Sequence, residues 1–385
     1  MKMNEIQNRS KKTVRLFALA SFLNDFGSDM IYPIWPLFVT SFLGTNMAVL
    51  GLIDGLGEAV VSISQAVSGY LSDRIQRRKV FVWTGYLFGS LSRIGYALSM
   101  VWQHLVLFRI LDRAGKIRSA PRDAIVADIS PKRFRGRNFG LLRMMDHMGA
   151  LFGITVCILF FKSLGFKKLF LIASIPSMVG VLLIFFFIQE KKEIHHKLYK
   201  GLSFRDFDPN YKLFLLLSSI FALGSFSYSF LLIYAKKFHL QTEFVPVMYL
   251  VFTAVASLFS LPFGKLSDRI GRKSVLMVSF MFWGICCLSM IYIQNNYTTI
   301  LTFILYGLHK GALEPVQKTF VSELAPVQYR ASSLGGFQMV IGLCAFPASF
   351  LAGVFWDRIN STAPFYFSLG LTVVSLIMLL FVKEK

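Results

Sequence analysis

The chain has 385 residues, of which 55% are apolar and only 16% are charged, and its mean hydropathy is +0.58. A soluble domain of this size has roughly a quarter of its residues charged, so the composition excludes a single soluble core and indicates a protein that lies in lipid. The net charge of +21 is typical either of nucleic-acid binding or of a membrane protein with basic cytoplasmic loops.

Apolar stretches of about 20 residues, the length that crosses a bilayer, recur along the whole sequence. The first follows a polar, basic start and is too long for a signal peptide, so we expect it to remain as a span. Transmembrane helices are predicted near residues 14–43, 46–71, 79–100, 102–129, 137–162, 166–189, 211–236, 244–266, 273–294, 297–324, 331–356 and 363–382.

The connectors between these spans are short, except for a polar, Lys-rich segment at 190–212 that divides the chain near its middle. Twelve spans place both termini on one side. The connecting segments on that side contain 25 Lys and Arg, against 6 on the other. This excess predicts that both termini are cytoplasmic, and it explains the positive charge without nucleic acid.

An internal repeat relates the two parts of the chain. The segment GYLSDRI at 69–75 recurs as GKLSDRI at 264–270, and the same offset of 195 residues places Asp128 on Glu323. Agreement in two separate loops indicates two homologous halves. We therefore expect an all-α membrane protein with twelve transmembrane helices in two pseudo-symmetric six-helix bundles, at 1–189 and 213–385, joined by a cytoplasmic linker at 190–212.

The repeated loops carry a family resemblance. The segment GKLSDRIGRK at 264–273 resembles the signature between helices 8 and 9 of the major facilitator superfamily. Residues 69–79 resemble its counterpart between helices 2 and 3, with Gln76 in place of the usual second Gly. The resemblance implies that fold, with spans 1 and 4 lining a central cavity. The region 118–136 resembles a poorly characterised bacterial group of the superfamily, which names no substrate.

The two signature loops also predict a cytoplasmic gate. An Asp at the membrane edge can dock on a helix N-terminus, where unpaired N–H groups and the helix dipole favour an anion. We expect Asp73 to dock on span 11 and Asp268 on span 5. The expected ion pairs join Arg74 and Arg77 to Asp128, and Arg269 and Arg272 to Glu323. Alternatively, the basic residues act only as topology anchors.

Ionisable residues at bilayer depth are costly and are expected to face a cavity or a partner. Asp25 and Asp29 are four residues apart on one face of span 1, and Glu58 lies in span 2. A buried carboxyl group has a raised pKa, which a nearby Arg lowers again. These three acids are the candidates for proton coupling. The alternative is a static ion-pair network that fixes helix packing.

Further residues are candidates for a substrate cavity. Span 4 carries a stripe at positions 109, 113, 116, 120 and 123, whose basic residues favour an anionic or zwitterionic solute, while the aromatic content also permits an amphipathic one. Glu314 is four residues from both Lys310 and Lys318, so internal pairing is its alternative role. The candidate cavity residues are Arg93, Arg113, Lys116, Tyr228 and Glu314.

These patterns predict a monomeric secondary transporter in a bacterial inner membrane, which moves a small organic solute by alternating access with proton coupling. A facilitated uniporter and a non-transporting sensor of the same fold are the alternatives. No enzymatic activity, cofactor or metal is expected, because the six His and four Cys lack metal-ligand spacing, and no nucleotide-binding loop is present. The expected partners are the solute, protons and lipid, without nucleic acid.

Overall fold

The structure is a computed structural model that describes residues 2–75, 77–130, 135–188, 208–237, 242–292, 295–325 and 330–384. Within these ranges the secondary structure is helical and forms twelve spans, as predicted. The spans are labelled α1 to α12 in chain order. Their order and approximate positions agree with those expected from the sequence.

The first six spans include two irregular helices, α1 and α4. These six spans are α1 (Lys2–Asp29, continued by turns, Trp35–Leu37 and the π-helical Phe38–Phe42), α2 (Met47–Ile75), α3 (Arg78–Leu98), α4 (Trp102–Ala114, the 3-10 segment Gly115–Arg118 and Ser119–Ile129), and the helix Arg135–Phe187, which contains α5 and α6. Gly165 separates α5 from α6, because its φ of 66° and ψ of −175° are not helical.

The last six spans are regular except for the first of them. They are α7 (Pro209–Gly224 and Tyr228–Lys237), α8 (Val245–Ile270), α9 (Arg272–Tyr292), α10 (Asn296–Leu324), α11 (Arg330–Arg358) and α12 (Ala363–Phe381). The sequence predicted a continuous α7, but the structure interrupts it at residues 225–227.

Apolarity distinguishes two kinds of span. Seven helical segments in the described chain are long and apolar enough to cross a membrane, and they account for α2, α5 with α6, α7, α8, α9, α11 and α12. The four spans that fail this test are α1, α3, α4 and α10. Each of these four carries ionisable residues within the helix. The protein is therefore an integral membrane protein whose charges are concentrated in a few helices.

The chain forms two compact units. Unit 1 comprises residues 1–38 and 60–197, and unit 2 comprises residues 39–59 and 198–385. These units differ from the halves predicted from the repeat, since the end of α1 and the first part of α2 group with the second half of the chain.

Close helix packing builds the core of unit 1. Helix α1 packs along α5 and α6, where Gly149 and Gly153 lie against backbone atoms of Phe22 and Phe26. A Cβ at Gly149 would come within 2.4 Å of the Phe22 carbonyl oxygen, so only glycine permits this approach. Small residues four positions apart on one helix permit such a close approach of two backbones.

Unit 2 is built around α10, which packs on α8 and α9, while α7 and α12 pack together. The end of the chain lies against this unit. Glu384 accepts hydrogen bonds from the backbone N–H groups of Arg272 and Lys273, at the start of α9. Lys273 in turn donates to the Leu380 and Val382 carbonyls, at 2.6 and 3.1 Å. A carboxylate at a helix N-terminus stabilises it.

Candidate functional site

Unit 1 holds one carboxylate between two arginines of α4. The Asp112 Oδ2 atom lies 4.0 Å from Arg109 Nη1 and 3.9 Å from Arg113 Nε. Ser92 on α3 donates a hydrogen bond to the other carboxylate oxygen, at 3.4 Å. The three charged side chains are at most 9% exposed. This arginine cluster therefore lies in the interior of unit 1, where charges need such partners.

Aromatic rings cover the two arginines. The Arg109 guanidinium lies 4.4 Å from the centre of the Trp35 ring, and that of Arg113 lies 5.1 Å from the centre of the Tyr32 ring. Arg113 also donates to the Tyr32 hydroxyl at 3.4 Å. Cation–π contacts of this kind are strongest when the cation is desolvated. The rings on α1 and in the turns after it thus hold the basic side chains of α4.

The predicted polar stripe on α4 does not continue as one face. It assumed a regular helix, but residues Gly115–Arg118 form a 3-10 turn, which has about 3.0 instead of 3.6 residues per turn and rotates every later position. The close approach of Gly85 on α3 accompanies this turn, because a Cβ at Gly115 would lie 2.7 Å from the Gly85 carbonyl oxygen. Positions 120 and 123 therefore leave the face that carries Arg113.

Arg93 lies elsewhere than the sequence predicted. It was a candidate for the substrate cavity, but it is only 2% exposed. Its guanidinium donates to the Asn24 carbonyl at 3.1 Å, to Ser28 at 2.8 Å, and to the Ala173 carbonyl at 3.1 Å. A further hydrogen bond goes to the Ser177 hydroxyl. Arg93 therefore joins α1, α3 and α6 as a buried packing residue.

The two candidate acids of α1 differ in burial. Asp29 is buried and interacts electrostatically with Tyr32. Asp25 is half-buried, accepts a hydrogen bond from Asn24 at 2.9 Å, and lies within electrostatic range of Lys116 on α4. Asp25, a candidate for proton coupling, and Lys116, a candidate cavity residue, are thus within electrostatic range of each other.

A second ionic cluster of unit 1 was not among the predicted site residues. Arg122 on α4 donates to Asp123 at 3.0 Å and to the Ser21 hydroxyl at 2.5 Å, and it lies 4.0 Å from Asp146 on α5. Asp146 also pairs with Arg143 at 3.4 Å, as its spacing of three residues suggested. No local sequence pattern predicts the contact between Asp146 and Arg122, because the two residues lie on different helices.

Unit 2 contains a buried acid at the break in α7. Asp54 on α2 is 2% exposed and accepts hydrogen bonds from the hydroxyls of Ser227, at 2.7 Å, and Ser229. The ten-residue second part of α7 begins at Tyr228, so the carboxylate lies beside a helix N-terminus, which favours an anion. Asp54 was not among the residues predicted for the site, although its spacing of four from Glu58 places both on one face of α2.

Glu58 and the charged residues of α10 form the second site in unit 2. Lys310 hydrogen-bonds to Tyr306 and interacts electrostatically with Glu314 and Glu58. Both Glu58 and Glu314 are exposed, although they belong to membrane-spanning helices. Glu314 and, on α2, Glu58 are thus both within electrostatic range of Lys310, and the pairing of Glu314 stays a prediction.

Tyr228 belongs to an aromatic cluster near this site. Its ring centre lies 5.2 Å from that of Tyr249 and 5.9 Å from that of Phe252 on α8. Phe252 continues the series to Tyr306, with 5.1 Å between ring centres. In this aromatic cluster, Tyr249 and Tyr306 are buried, and Lys310 lies 5.8 Å from the centre of the Tyr306 ring.

The second signature loop contains one of the predicted pairs. Arg272 lies 3.1 Å from Glu323 and 2.5 Å from Asp268, and it also donates to the Ser267 hydroxyl. Arg269 was also expected to pair with Glu323, but its side chain is exposed. Among the described residues, Arg272 forms the ion pair with Glu323. A single guanidinium therefore connects the ends of α8 and α10.

The first signature loop differs from the prediction. Asp128 pairs with Arg78, whereas the sequence had assigned it to Arg74 and Arg77. Arg78 is the first residue of α3 and directly follows Arg77. The side chains of Asp73 and Arg74 lie outside the described residues, so their predicted contacts stay predictions.

In the described part of the chain, no group of three or more His, Cys, Asp or Glu side chains is placed to hold a metal ion. His309 is buried, with its Nδ1 atom 2.9 Å from the Ser279 carbonyl oxygen. It therefore joins α10 to α9.

Comparison with known proteins identifies the family. The model of the Major Facilitator Superfamily matches residues 17–215 and 213–385, which is essentially the whole chain. The chain belongs to the Major Facilitator Superfamily. A relative in Methanocaldococcus jannaschii, named "Uncharacterized MFS-type transporter MJ1317", is 36% identical over 390 residues, covering 99% of this chain and 97% of the relative.

Solved structures of this superfamily share the fold. The nucleoside transporter NupG matches with a TM-score of 0.77 and 17% identity, covering 97% of this chain and 100% of that one. The D-xylose-proton symporter matches with a TM-score of 0.78 and 15% identity, covering 96% and 97%. The predicted facilitator fold of twelve helices in two six-helix bundles is therefore confirmed.

Proposed function

We propose that this facilitator is a secondary active transporter that moves a small organic solute by alternating access, coupled to protons. The observation that supports it best is that ionisable side chains lie inside the spans, most of them on α4 and α10, with carboxylates also on α1 and α2. Such residues mark substrate and proton pathways in membrane proteins. The structural similarity to a proton symporter is compatible with this proposal.

Asp25, Asp29 and Glu58 are the proposed proton carriers. Asp25 lies near Lys116, and Glu58 near Lys310. A carboxylate beside a cation stays ionised, and it takes up a proton more readily when that cation moves away. Exchange of a basic partner for a proton would couple proton movement to the change between states. Arg113 and Lys116 would supply the basic partners within unit 1.

The loops are proposed to act as a gate. Arg272 with Glu323 and Asp268 forms one set of ion pairs, and Arg78 with Asp128 forms the other. These pairs connect the ends of neighbouring helices, so separation of those helices would break them. Docking of Asp73 and Asp268 on helix N-termini would add to the gate.

The proposed location is a cytoplasmic membrane, with both termini on the cytoplasmic side and the chain acting as a monomer. The excess of basic residues in the segments on that side supports this orientation. It also places both signature loops on the inside, where the gate would face the cytoplasm. Cysteine labelling at each terminus with an impermeant reagent tests the orientation.

Flux in reconstituted vesicles tests the proposal. Purified protein is placed in vesicles with and without a pH gradient, and metabolites and drug-like compounds are screened for uptake. Gradient-driven accumulation supports coupled transport. Equilibration that ignores the gradient supports a uniporter, and no flux for any compound supports a sensor.

Three variants then test the coupling residues. Asp29→Asn and Glu58→Gln are expected to abolish accumulation against the gradient, and Arg113→Ala to reduce it at least tenfold. Asp73→Asn serves as the gate variant, and Arg143→Gln is the control because its side chain is 66% exposed. Undiminished gradient-driven flux in all three coupling variants would reject the proton carriers proposed here.

A further inference from the structure

Residues 382–384, a segment termed the strap, follow α12 and bind the start of α9. Val382 is only 1% exposed and anchors this segment. The Glu384 carboxylate accepts hydrogen bonds from the backbone N–H groups of Arg272 and Lys273. The first N–H groups of a helix have no partner within the helix, and a negative charge beside them is favourable. The strap therefore caps the start of α9.

Lys273 completes this connection in the opposite direction. Its ammonium donates hydrogen bonds to the carbonyls of Leu380, at 2.6 Å, and Val382, at 3.1 Å. The last carbonyls of a helix also lack partners within that helix, and a lysine side chain can satisfy them. Each of the two helix ends thus receives a charge of the sign that its dipole favours.

A second attachment joins the strap to α7. The side-chain amide of Asn210, in the first turn of α7, donates to the Lys383 carbonyl at 2.6 Å and accepts from the Lys383 N–H at 2.9 Å. Both contacts use the backbone of Lys383, whose side chain is exposed. The strap therefore connects the starts of α7 and α9 to the end of α12.

The contact of Lys273 recurs in the other sequence repeat. Lys79 ends the first signature loop as Lys273 ends the second, and each is the second residue of its helix. Lys79 donates to the Phe185 carbonyl at 2.7 Å, in the last turn of α6. In each repeat the preceding arginine, Arg78 or Arg272, pairs with a carboxylate. The same arrangement in both repeats indicates that this contact positions the neighbouring arginine.

The position of the Arg272 backbone determines the ion pairs of its side chain. Its N–H is held by Glu384, while its guanidinium lies 2.5 Å from Asp268 and 3.1 Å from Glu323. Arg272 is the first residue of α9, and helix ends fray. Loss of the cap would therefore free the backbone of Arg272 and move its guanidinium away from both carboxylates.

We propose that the strap is a positioning device for the gate. With the strap attached, Arg272 is held where it pairs with Asp268 and Glu323. With the strap detached, the start of α9 frays and these pairs weaken, so the ends of α8 and α10 separate more easily. This inference rests on the proposed gate and adds a control of it that lies outside the signature loop. Glu384 and Lys273 are accordingly positioning residues.

Hydrogen exchange tests whether the strap holds the start of α9. Exchange of the Arg272 and Lys273 amides is measured by mass spectrometry of overlapping peptides. Glu384→Ala is expected to speed this exchange at least about tenfold, because it removes hydrogen bonds to a charged group, and Asn210→Ala should act in the same direction. Lys383→Gln is the control, because its side chain is exposed. Unchanged exchange in Glu384→Ala and Asn210→Ala would overturn the proposal.

Labelling of a buried cysteine tests whether the strap controls the gate. Leu324 ends α10 and is 3% exposed, so Leu324→Cys, in a background without native cysteines, reports opening of that end to an impermeant maleimide. Glu384→Ala and Lys273→Gln are each expected to increase the labelling rate severalfold. Lys273→Arg keeps the charge and the hydrogen-bond donors, so it should label at the parent rate, as should Lys383→Gln. Equal rates in the two Lys273 variants would contradict positioning by its charge.

A double variant distinguishes positioning from a direct effect of the strap. If the strap acts through Arg272, Glu384→Ala combined with Arg272→Gln labels no faster than Arg272→Gln alone, because the positioned ion pairs are already absent. Effects that multiply would overturn the proposal.

Failure of the gate gives a different result from failure of the strap. If Arg272→Gln alone does not increase labelling, the proposed gate and its control by the strap are both rejected. If Arg272→Gln increases labelling but Glu384→Ala and Lys273→Gln do not, the strap is rejected and the gate stands.

Discussion

The Asp54 carboxylate accepts a hydrogen bond from the Ser227 hydroxyl at 2.7 Å, which joins the first part of α2 to the break in α7. The Ser227 backbone N–H donates to Ser349 on α11 at 3.2 Å. Residues from both sequence repeats thus meet in one polar contact inside unit 2. Alternating access requires contacts of this kind to break and form again.

Removing the Asp54 contact is expected to destabilise unit 2. Asp54→Ala and Ser227→Ala should each lower the apparent melting temperature, and the double variant should lose less than their sum, because both remove one hydrogen bond to a charged group, worth about 1.5–3 kcal/mol. Ser322→Ala is the control, since Ser322 donates to Thr319 in its own helix. Additive losses would show that the two residues are not coupled.

Arg93 is expected to matter for folding more than for solute recognition. Arg93→Ala leaves the buried acceptors on Asn24, Ser28 and Ala173 without their donor, at a cost of about 3 kcal/mol or more. The protein should then disappear from the membrane fraction or melt at a clearly lower temperature. If the Arg93→Ala protein is stable but no longer binds solute, Arg93 acts in the substrate cavity and not in packing.

Two arginines of one loop are expected to behave differently. Arg272→Gln removes the ion pairs to Asp268 and Glu323, whereas Arg269→Gln changes an exposed side chain. In a background without native cysteines, Leu324→Cys reports opening at the buried end of α10. Its labelling by an impermeant maleimide should increase severalfold with Arg272→Gln only. A similar increase with both variants would mean that the positive charge of the loop, and not the ion pairs of Arg272, keeps the end of α10 buried.

The turn between α5 and α6 is expected to require glycine. The Gly165 φ of 66° and ψ of −175° lie in a region essentially confined to glycine, and another residue there costs about 1–3 kcal/mol. Gly165→Ala and Gly165→Asn should both lower the melting temperature, although neither meets a steric obstacle. Gly370→Ala, in an exposed part of α12, should instead be neutral or slightly stabilising. Rescue by Asn would indicate an ordinary left-handed turn.

The sequence predicted the architecture well because lipid imposes a simple rule. A span must be apolar and about 20 residues long, so α12, predicted at 363–382, is found at Ala363–Phe381. The repeated loops and the basic residues on one side added the family and a proposed orientation. These signals depend on composition and local order, which are visible without a structure.

The candidate site was less predictable because it depends on contacts between helices. Arg109 and Arg113 were predicted only as positions of one stripe on α4, and their aromatic partners come from α1 and the turns after it. The 3-10 turn at Gly115–Arg118 rotates the later positions of the predicted stripe. Gly85, which packs against this turn, lies on another helix, α3. The ion pair of Asp128 with Arg78, one residue after the predicted Arg77, shows the same limit at a loop, where one position changes the direction of a side chain.

The contacts of Glu384 at the start of α9 have a practical consequence for handling the protein. An affinity tag or fluorescent fusion attached at the carboxyl end adds its bulk directly beside the loop that holds Arg272. Such a fusion is expected to compete with the Glu384 interaction and to alter the measured transport rate. Purification handles for functional work therefore belong at the opposite end of the chain or behind a cleavable linker.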